Sequence, residues 1–445
     1  MPAVLELSRE RTLLMGILNA TDDSFSGDGY GDDVEALVRR GVEMERDGAD
    51  ILDVGAASSR PGHAEVAPEQ ELRRAVTAVR RLREAVSVPI SIDSSRAAVV
   101  DACLQAGASI ANDVSGLVED RVAEAVARSQ AWLVLAHSRA SPRSEPDREA
   151  DPEAVVGLVR DDLRAAIDRA EAAGVQRQRV IVDPGLGFAK TAAESFALLR
   201  RLGEIREVAP VLAGSSRKGH LGAVTGRPVD QRLFAGASAT AAAVLGGADI
   251  VRVHDVAAMV DVVRVADAVR RGVRKRTAYI GLGANLGPAR ETLRRALNEL
   301  GRLGRVAGVS RLWRSEPMYV ADQPPFLNAV ATLETALASP VTLVRELRRI
   351  ERELGRVPHE RYGPRELDLD LLLFAGAAAA EHEGNVAVPH ERIAERRFVL
   401  GPLAELAPDA MDPRSGRSVR EMLAAVADQQ AEPIEDQDWW KTASS

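Results

Sequence analysis

The chain reads as an α/β protein: an N-terminal TIM-type (β/α)8 barrel followed by a C-terminal α+β, ferredoxin-like domain. Three observations predict this. Through residue 270 or so a short aliphatic run, a polar turn and a longer amphipathic stretch recur eight times. The repeat stops at the basic run Arg274, Lys275, Arg276. Beyond it the strand-like runs lengthen and no longer alternate regularly with helical ones.

The eight runs are Thr12 to Leu18, Ala49 to Gly55, Val88 to Asp93, Ser109 to Val114, Ala131 to His137, Val180 to Asp183, Val211 to Ser215 and Asp249 to His254. Each is almost continuously apolar, the pattern of parallel strands covered on both faces. Amphipathic stretches such as Val34 to Asp47 and Pro68 to Ala85 lie between them, so eight strand-helix units close into a barrel over residues 1–272. In the second domain, 277–430, the spacing predicts strands over Ala278 to Leu282, Arg305 to Arg314, Phe326 to Glu334 and Leu367 to Phe374. Helices are expected over Arg290 to Leu303 and up to Glu353, packed on an antiparallel sheet. Residues 431–445 are polar and acidic and are expected to form a disordered tail; a docked anchor at Trp439 and Trp440 is the alternative.

Composition narrows the function. With 46% hydrophobic and 28% charged residues the 445-residue chain can bury ordinary cores. A net charge of -8 gives no general attraction to nucleic acid, so anion binding has to be local. No run approaches a membrane span and Met1 to Arg11 lacks a signal-peptide core, so a cytoplasmic protein without membrane partners is expected. The single cysteine, Cys103, reads as packing. Of 58 basic residues only Lys190, Lys218, Lys275 and Lys441 are lysines, a hint that an ammonium is wanted where one is kept.

Barrel enzymes build their sites at the C-terminal ends of the strands. Here the runs end on Asn19, Asp53, Asp93, Asn112, His137, Asp183, Ser216-Arg217-Lys218 and Arg252 with His254. Singly these are ordinary strand terminators and helix caps. Together they suit a polar heterocycle such as a pterin or purine, read by Asp and Asn, and an anion held by Arg and Lys.

The ordered series Met15-Gly-Ile-Leu-Asn-Ala-Thr-Asp-Asp-Ser-Phe-Ser26, Asp50-Ile-Leu-Asp-Val-Gly55, Ser58-Ser-Arg-Pro-Gly62, Asp183-Pro-Gly-Leu-Gly-Phe188, Ser215-Ser-Arg-Lys218 and Arg252-Val-His254 closely resembles dihydropteroate synthase. The resemblance implies condensation of p-aminobenzoate with 6-hydroxymethyl-7,8-dihydropterin pyrophosphate, with loss of pyrophosphate. It implies that Asp93, Asn112, Asp183 and Lys218 hold the pterin, that Asn19 helps bind Mg²⁺, and that Arg252 and His254 bind the pyrophosphate. Loops carrying Phe25 and Ser59-Arg60-Pro61 would close over the amine, with Phe188 near its ring. The implied chemistry is dissociative, dominated by electrostatic stabilisation, with Lys218, Arg252 and His254 as the catalytic cations. Asp22, Ala56-Ala57 and Gly219 depart from the common pattern, which bears on p-aminobenzoate and sulfonamide binding. Lys190 stands open between a loop contact and the surface.

In the second domain Leu367-Asp368-Leu369-Asp370-Leu371 places two aspartates on one strand face, about 7 Å apart, with arginines around them. That is the composition of a metal-nucleotide site. Gly281-Leu-Gly-Ala-Asn-Leu-Gly287, Phe326-Leu-Asn328, Gly355-Arg-Val357, Arg361 through Asp370, Val388-Pro-His390 and Arg396-Arg-Phe398 resemble hydroxymethyl-dihydropterin pyrophosphokinase. The resemblance implies diphosphate transfer from ATP to the pterin, leaving AMP. Asp368 and Asp370 would hold Mg²⁺, Asn328 would bond the pterin, and Tyr362 and Phe398 would sandwich it. Glu351, Arg356, Arg365, His390 and Arg396 would meet ATP, with Arg356 and Arg365 catalytic, and Pro358 departs from the usual loop.

Two rivals for the barrel stay open: a pterin-dependent methyltransferase, against which Lys218, Arg252 and His254 argue, and a barrel that binds pterins without catalysis. Partners are expected to be the small-molecule substrates and, through the barrel, a second copy of the chain.

Overall fold

The computed structural model describes residues 5–7, 11–21, 30–31, 33–57, 66–138, 151–273, 275–318, 322–337, 339–357, 363–375, 381–383, 386–388 and 392–441. Two compact units divide at Gly272/Val273.

Each of the eight aliphatic runs of the first unit coincides with a strand, the first ending one residue beyond its run: β1 (Leu13–Asn19), β2 (Ile51–Gly55), β3 (Ile90–Asp93), β4 (Ile110–Asp113), β5 (Trp132–Ala136), β6 (Val180–Asp183), β7 (Leu212–Ala213) and β8 (Ile250–Val253). All pair in parallel, in the order β6-β5-β4-β3-β2-β1-β8-β7. A parallel bridge between Val182 and Val211, with Val182 N–H donating to the Pro210 carbonyl at 2.9 Å, joins the two ends. The inward face carries an apolar plug that includes Met15, Ile51, Ile110, Val134, Ile181, Leu212 and Ile250. Because strand side chains alternate, the residues two further on, Asp53, Asn112, Asp183 and Arg252 among them, share that inward face. Cys103 is fully buried among the helices outside, and burial pushes its thiol up to about 12, as befits a packing residue.

The second unit is an antiparallel sheet. β9 (Arg276–Ala284) lies between β12 (Phe326–Thr335) and β13 (Asp368–Phe374). The single strand expected over Arg305 to Arg314 is broken into β10 (Gly304–Val309) and β11 (Leu312–Ser315), both paired with β12. The break falls at Ser310, whose hydroxyl replaces a backbone carbonyl by accepting the Val330 N–H at 2.9 Å. A two-stranded ribbon, β14 (Glu381–Glu383) with β15 (Val386–Val388), completes the described strands but one. Helices Ala289–Leu303 and Pro340–Glu353 cover one face of the sheet, and Arg397–Leu406 covers part of the other.

The remaining strand corrects the expectation of a disordered tail. β16 (Ala431–Glu435) pairs antiparallel with β11. Trp439 is 4% exposed, its indole N–H donates to the Ser310 carbonyl at 3.0 Å, and the Arg294 guanidinium donates to the Trp439 carbonyl at 2.6 and 2.9 Å. A polar composition concealed this because the open edge of β11 and one indole supply the docking, not a long apolar run. Trp439→Ala is expected to destabilise the second unit by about 3–5 kcal/mol, the usual range for a buried Trp truncated to Ala. Denaturant unfolding of the full chain measures this, and a loss well under 1 kcal/mol would contradict a docked indole.

Candidate active sites

At the barrel mouth the register aligns Asn19 with Gly55, Gly55 with Asp93 and Asp93 with Asn112, one layer across four strands. Gly55 leaves the space between Asn19 and Asp93 free of a side chain. Arg252 crosses this layer: its Nε donates to Asp53 at 2.6 Å and its Nη2 to Asp93 at 2.7 Å. Asn112 Nδ2 donates to the same Asp53 oxygen at 3.2 Å. Burial pushes the Asp93 carboxyl up to about 7, against the pull of Arg252 and with the help of the Asp53 charge. Burial works against the Arg252 charge, but the two carboxylates outweigh it and hold its pKa above the ordinary value. Asp53 is fully buried and organises both neighbours; the sequence places it at a strand end and gives no signal of this role.

Asp183 is 5% exposed and accepts the Gly185 N–H at 2.7 Å. After β7, Lys218 Nζ donates to the Leu186 carbonyl at 2.6 Å and sits 4.3 Å from the centre of the Phe188 ring. His254 Nδ1 lies 2.9 Å from the Ser216 hydroxyl. Asp93, Asn112, Asp183, Lys218, Arg252 and His254 therefore all stand at the C-terminal ends of the strands, and Asn19 shares the layer of Asp93. Lys190 is a buried loop contact, not a surface residue. Phe25, Ser59, Arg60 and Pro61 lie outside the described residues.

The second site follows from pairing across three strands. Asp368 and Asn328 both face Gly283 on β9, and Asp370 and Val330 both face Gly281. The two glycines leave a trough between the aspartates and Asn328; a Cβ on Gly283 would already lie 3.5 Å from Asn328 Oδ1. A cavity of about 110 Å³ opens there, lined by Asn328, Arg365, Asp368, Asp370, Arg396 and Phe398. Arg356 and Arg365 reach Asp368 at 2.9 and 2.6 Å. Glu351, expected at ATP, is 5% exposed; it pairs with Arg356 and accepts the Leu369 N–H at 2.8 Å, so it braces the arginine and β13. Arg396 lies 5.7 Å from the Phe398 ring, and its Nε is buried without a hydrogen-bond partner among the described residues. Asn328 Nδ2 donates to Ser315 Oγ at 2.9 Å. Asn285, given no role from sequence, accepts the Arg365 N–H at 2.7 Å and donates to Pro324 O at 2.9 Å, tying two segments of the rim together. Tyr362 and His390 lie outside the described residues.

Burial, then the Asp368 charge, pushes the Asp370 carboxyl up to about 7. Two hard oxygen donors whose negative charges oppose each other fit Mg²⁺. Among the described residues no three His, Cys, Asp or Glu side chains converge on one point. Mg²⁺ between phosphates and water needs only one or two protein oxygens, a requirement that the carboxylates of Asp368 and Asp370 fit by their chemistry.

The family model described as "Pterin binding enzyme" matches residues 15–254. The chain belongs to that family. A second family model, 7,8-dihydro-6-hydroxymethylpterin-pyrophosphokinase, matches residues 279–408, so two pterin enzyme families are joined on this polypeptide. The dihydropteroate synthase of a Synechocystis species is 40% identical over 265 residues, covering 59% of this chain and 91% of the relative. Folic acid synthesis protein fol1 of Schizosaccharomyces pombe is 38% identical over 267 residues, 58% of this chain but 36% of that longer protein. Among solved structures, the Xanthomonas albilineans dihydropteroate synthase in complex with 7,8-dihydropteroate is 38% identical with a TM-score of 0.53, covering 60% of this chain and 96% of that one. The Yersinia pestis synthase with a sulfonamide drug is 33% identical with a TM-score of 0.57, covering 61% and 98%. The barrel of this enzyme is thus of the synthase type, which favours catalysis over the methyltransferase and binding-only readings.

The raised Asp93 carboxyl sets a pH dependence. A carboxyl whose folded pKa is raised stabilises the fold fully below the unfolded value near 4, and that contribution is lost as pH rises through about 7. The thermal stability of the barrel is therefore expected to fall between pH 4 and pH 7, and Asp93→Asn to flatten that slope. An unchanged slope in the variant would remove Asp93 as its source.

Proposed function

We propose that the two units catalyse consecutive steps of folate synthesis. The second unit transfers the diphosphate of ATP to 6-hydroxymethyl-7,8-dihydropterin, releasing AMP. The barrel condenses the resulting ester with p-aminobenzoate to 7,8-dihydropteroate and pyrophosphate. The observation that carries the reading is the succession of two matched families on one chain, the product of the second being the substrate of the first.

In the kinase site Asn328 bonds the pterin edge and Phe398 stacks on its ring, with Tyr362 on the opposite side. Arg356, Arg365, Arg396 and His390 bind the phosphates, and Glu351 holds Arg356 in place. The buried Arg396 Nε, without a hydrogen-bond partner among the described residues, supports an anion at this end of the cavity. Mg²⁺ on Asp368 and Asp370 would neutralise charge on the triphosphate. In the barrel Asp93, Asn112, Asp183 and Lys218 hold the pterin, while Arg252 and His254 hold the pyrophosphate, with Asn19 toward Mg²⁺. The methylene–oxygen bond breaks as pyrophosphate leaves, the arylamine nitrogen bonds to the methylene carbon, and the amine gives up a proton. Buried carboxylates beside the ring favour the cationic methylene, so the barrel acts by electrostatics, without a covalent nucleophile. Phe25, Ser59, Arg60, Pro61 and Phe188 surround the amine.

A homodimer through the barrel is supported by exposed apolar side chains on two neighbouring helices, Leu233–Gly246 and Val256–Arg271: Phe234 is 85%, Val265 65% and Val269 70% exposed. No helix among the described residues is long and apolar enough to cross a membrane.

Incubation of the full chain with 6-hydroxymethyl-7,8-dihydropterin, ATP, Mg²⁺ and p-aminobenzoate is expected to yield AMP and dihydropteroate; absence of AMP would reject the kinase assignment. The preformed ester tests the barrel alone, and no dihydropteroate there would favour a barrel that only binds. Asp370→Ala is expected to abolish AMP release and spare synthesis from the ester. Light scattering should report a dimer that Phe234→Asp converts to monomer; a monomeric wild type would overturn the dimer.

A further inference from the structure

We infer that Lys190 is a positioning residue of the synthase site, a single buried ammonium that fixes the turn after β6 and, through it, Asp183, Phe188 and Lys218. The side chain is 5% exposed. Its Nζ donates to the carbonyls of His137 at 3.1 Å, Gly185 at 2.9 Å and Phe188 at 3.1 Å. These oxygens belong to two different places in the fold, the end of β5 and the turn that follows β6. An ammonium pulled out of water is costly unless such acceptors surround it, so its burial and the closeness of the two segments depend on each other.

The backbone shows how tightly the turn is held. Gly185 has a φ of +67°, and a Cβ there would fall 1.9 Å from the His137 carbonyl oxygen. Ala189, which does carry a Cβ, is held at a φ of +46°, a conformation that persists only where the surroundings over-determine it. The turn in turn holds the chemistry. Gly185 N–H donates to Asp183 Oδ1 at 2.7 Å and sets its carboxylate. The Leu186 carbonyl accepts from Lys218 Nζ at 2.6 Å, and the Phe188 ring lies 4.3 Å from the same nitrogen. Displacing the turn therefore moves three groups at once.

The choice of residue follows. A compact ammonium can aim protons at three converging carbonyls, whereas a planar guanidinium is larger and its fork is fixed. In a chain with only four lysines among 58 basic residues, this is a position where arginine does not fit.

The inference rests on the assignment of the pterin to Asp183. With the full chain, the preformed pterin ester and p-aminobenzoate, Lys190→Met and Lys190→Arg are each expected to raise the KM for the ester on the order of ten- to a hundredfold, the scale set by misplacing binding groups by about 1 Å. AMP release by the second unit should stay at the wild-type rate. A wild-type KM accompanied by a lower barrel Tm would make the lysine merely structural and overturn the inference. So would loss of cooperative barrel unfolding in both variants. Asp183→Asn, assayed alongside, separates the two ideas: if it leaves the ester KM unchanged, the pterin assignment fails whatever the lysine variants do.

Discussion

Both sites are built on the two-residue repeat of the β-strand. In the barrel, successive inward positions turn from Ile51 to Asp53, Ile110 to Asn112, Ile181 to Asp183 and Ile250 to Arg252, so the plug that closes the barrel is also the floor beneath the polar groups. In the second unit the same repeat sets Asp368 and Asp370 opposite Gly283 and Gly281 and puts Leu369 and Leu371 into the core. A one-residue slip of β13 would exchange the aspartates and leucines between the faces. Core packing thus enforces the geometry of the chemistry.

Closing the barrel has an electrostatic consequence. It brings Asp53 and Asp93 together around Arg252, with Asp183 contributing further negative charge. The cost of burying these groups is met by matching charges and hydrogen bonds, and the residual imbalance appears as the raised Asp93 carboxyl. The second unit shows the same economy, with Arg356 and Arg365 on Asp368 and a raised Asp370 beside it. Substrate charge entering either site meets groups already oriented, which is the condition for electrostatic catalysis.

Much of this is legible in the sequence. Eight aliphatic runs marked eight strands, their polar ends marked the barrel mouth, and the Leu-Asp-Leu-Asp-Leu alternation marked one face of β13. Three features escaped. Asp53 looked like any strand-ending aspartate, because its bonds to Arg252 and Asn112 span 199 and 59 residues. Asn285 and Glu351 act as braces for Arg365 and Arg356, and a brace leaves no pattern beyond its polarity. The tail leaves no sequence signal because an edge strand draws its hydrogen bonds from a neighbour, so a polar segment such as Ala431–Glu435 suffices.

The sequence by itself determined the two-unit order, the alternation that separates core from site along each strand, and the inventory of cations and carboxylates. Those depend on local periodicity and residue chemistry. Only the tertiary structure decided which charges meet, that Trp439 closes against Ser310, and that Lys190 gathers carbonyls from β5 and the turn after β6. Such contacts depend on closure and on hydrogen-bond distances between segments far apart in the chain, and local periodicity carries no record of them.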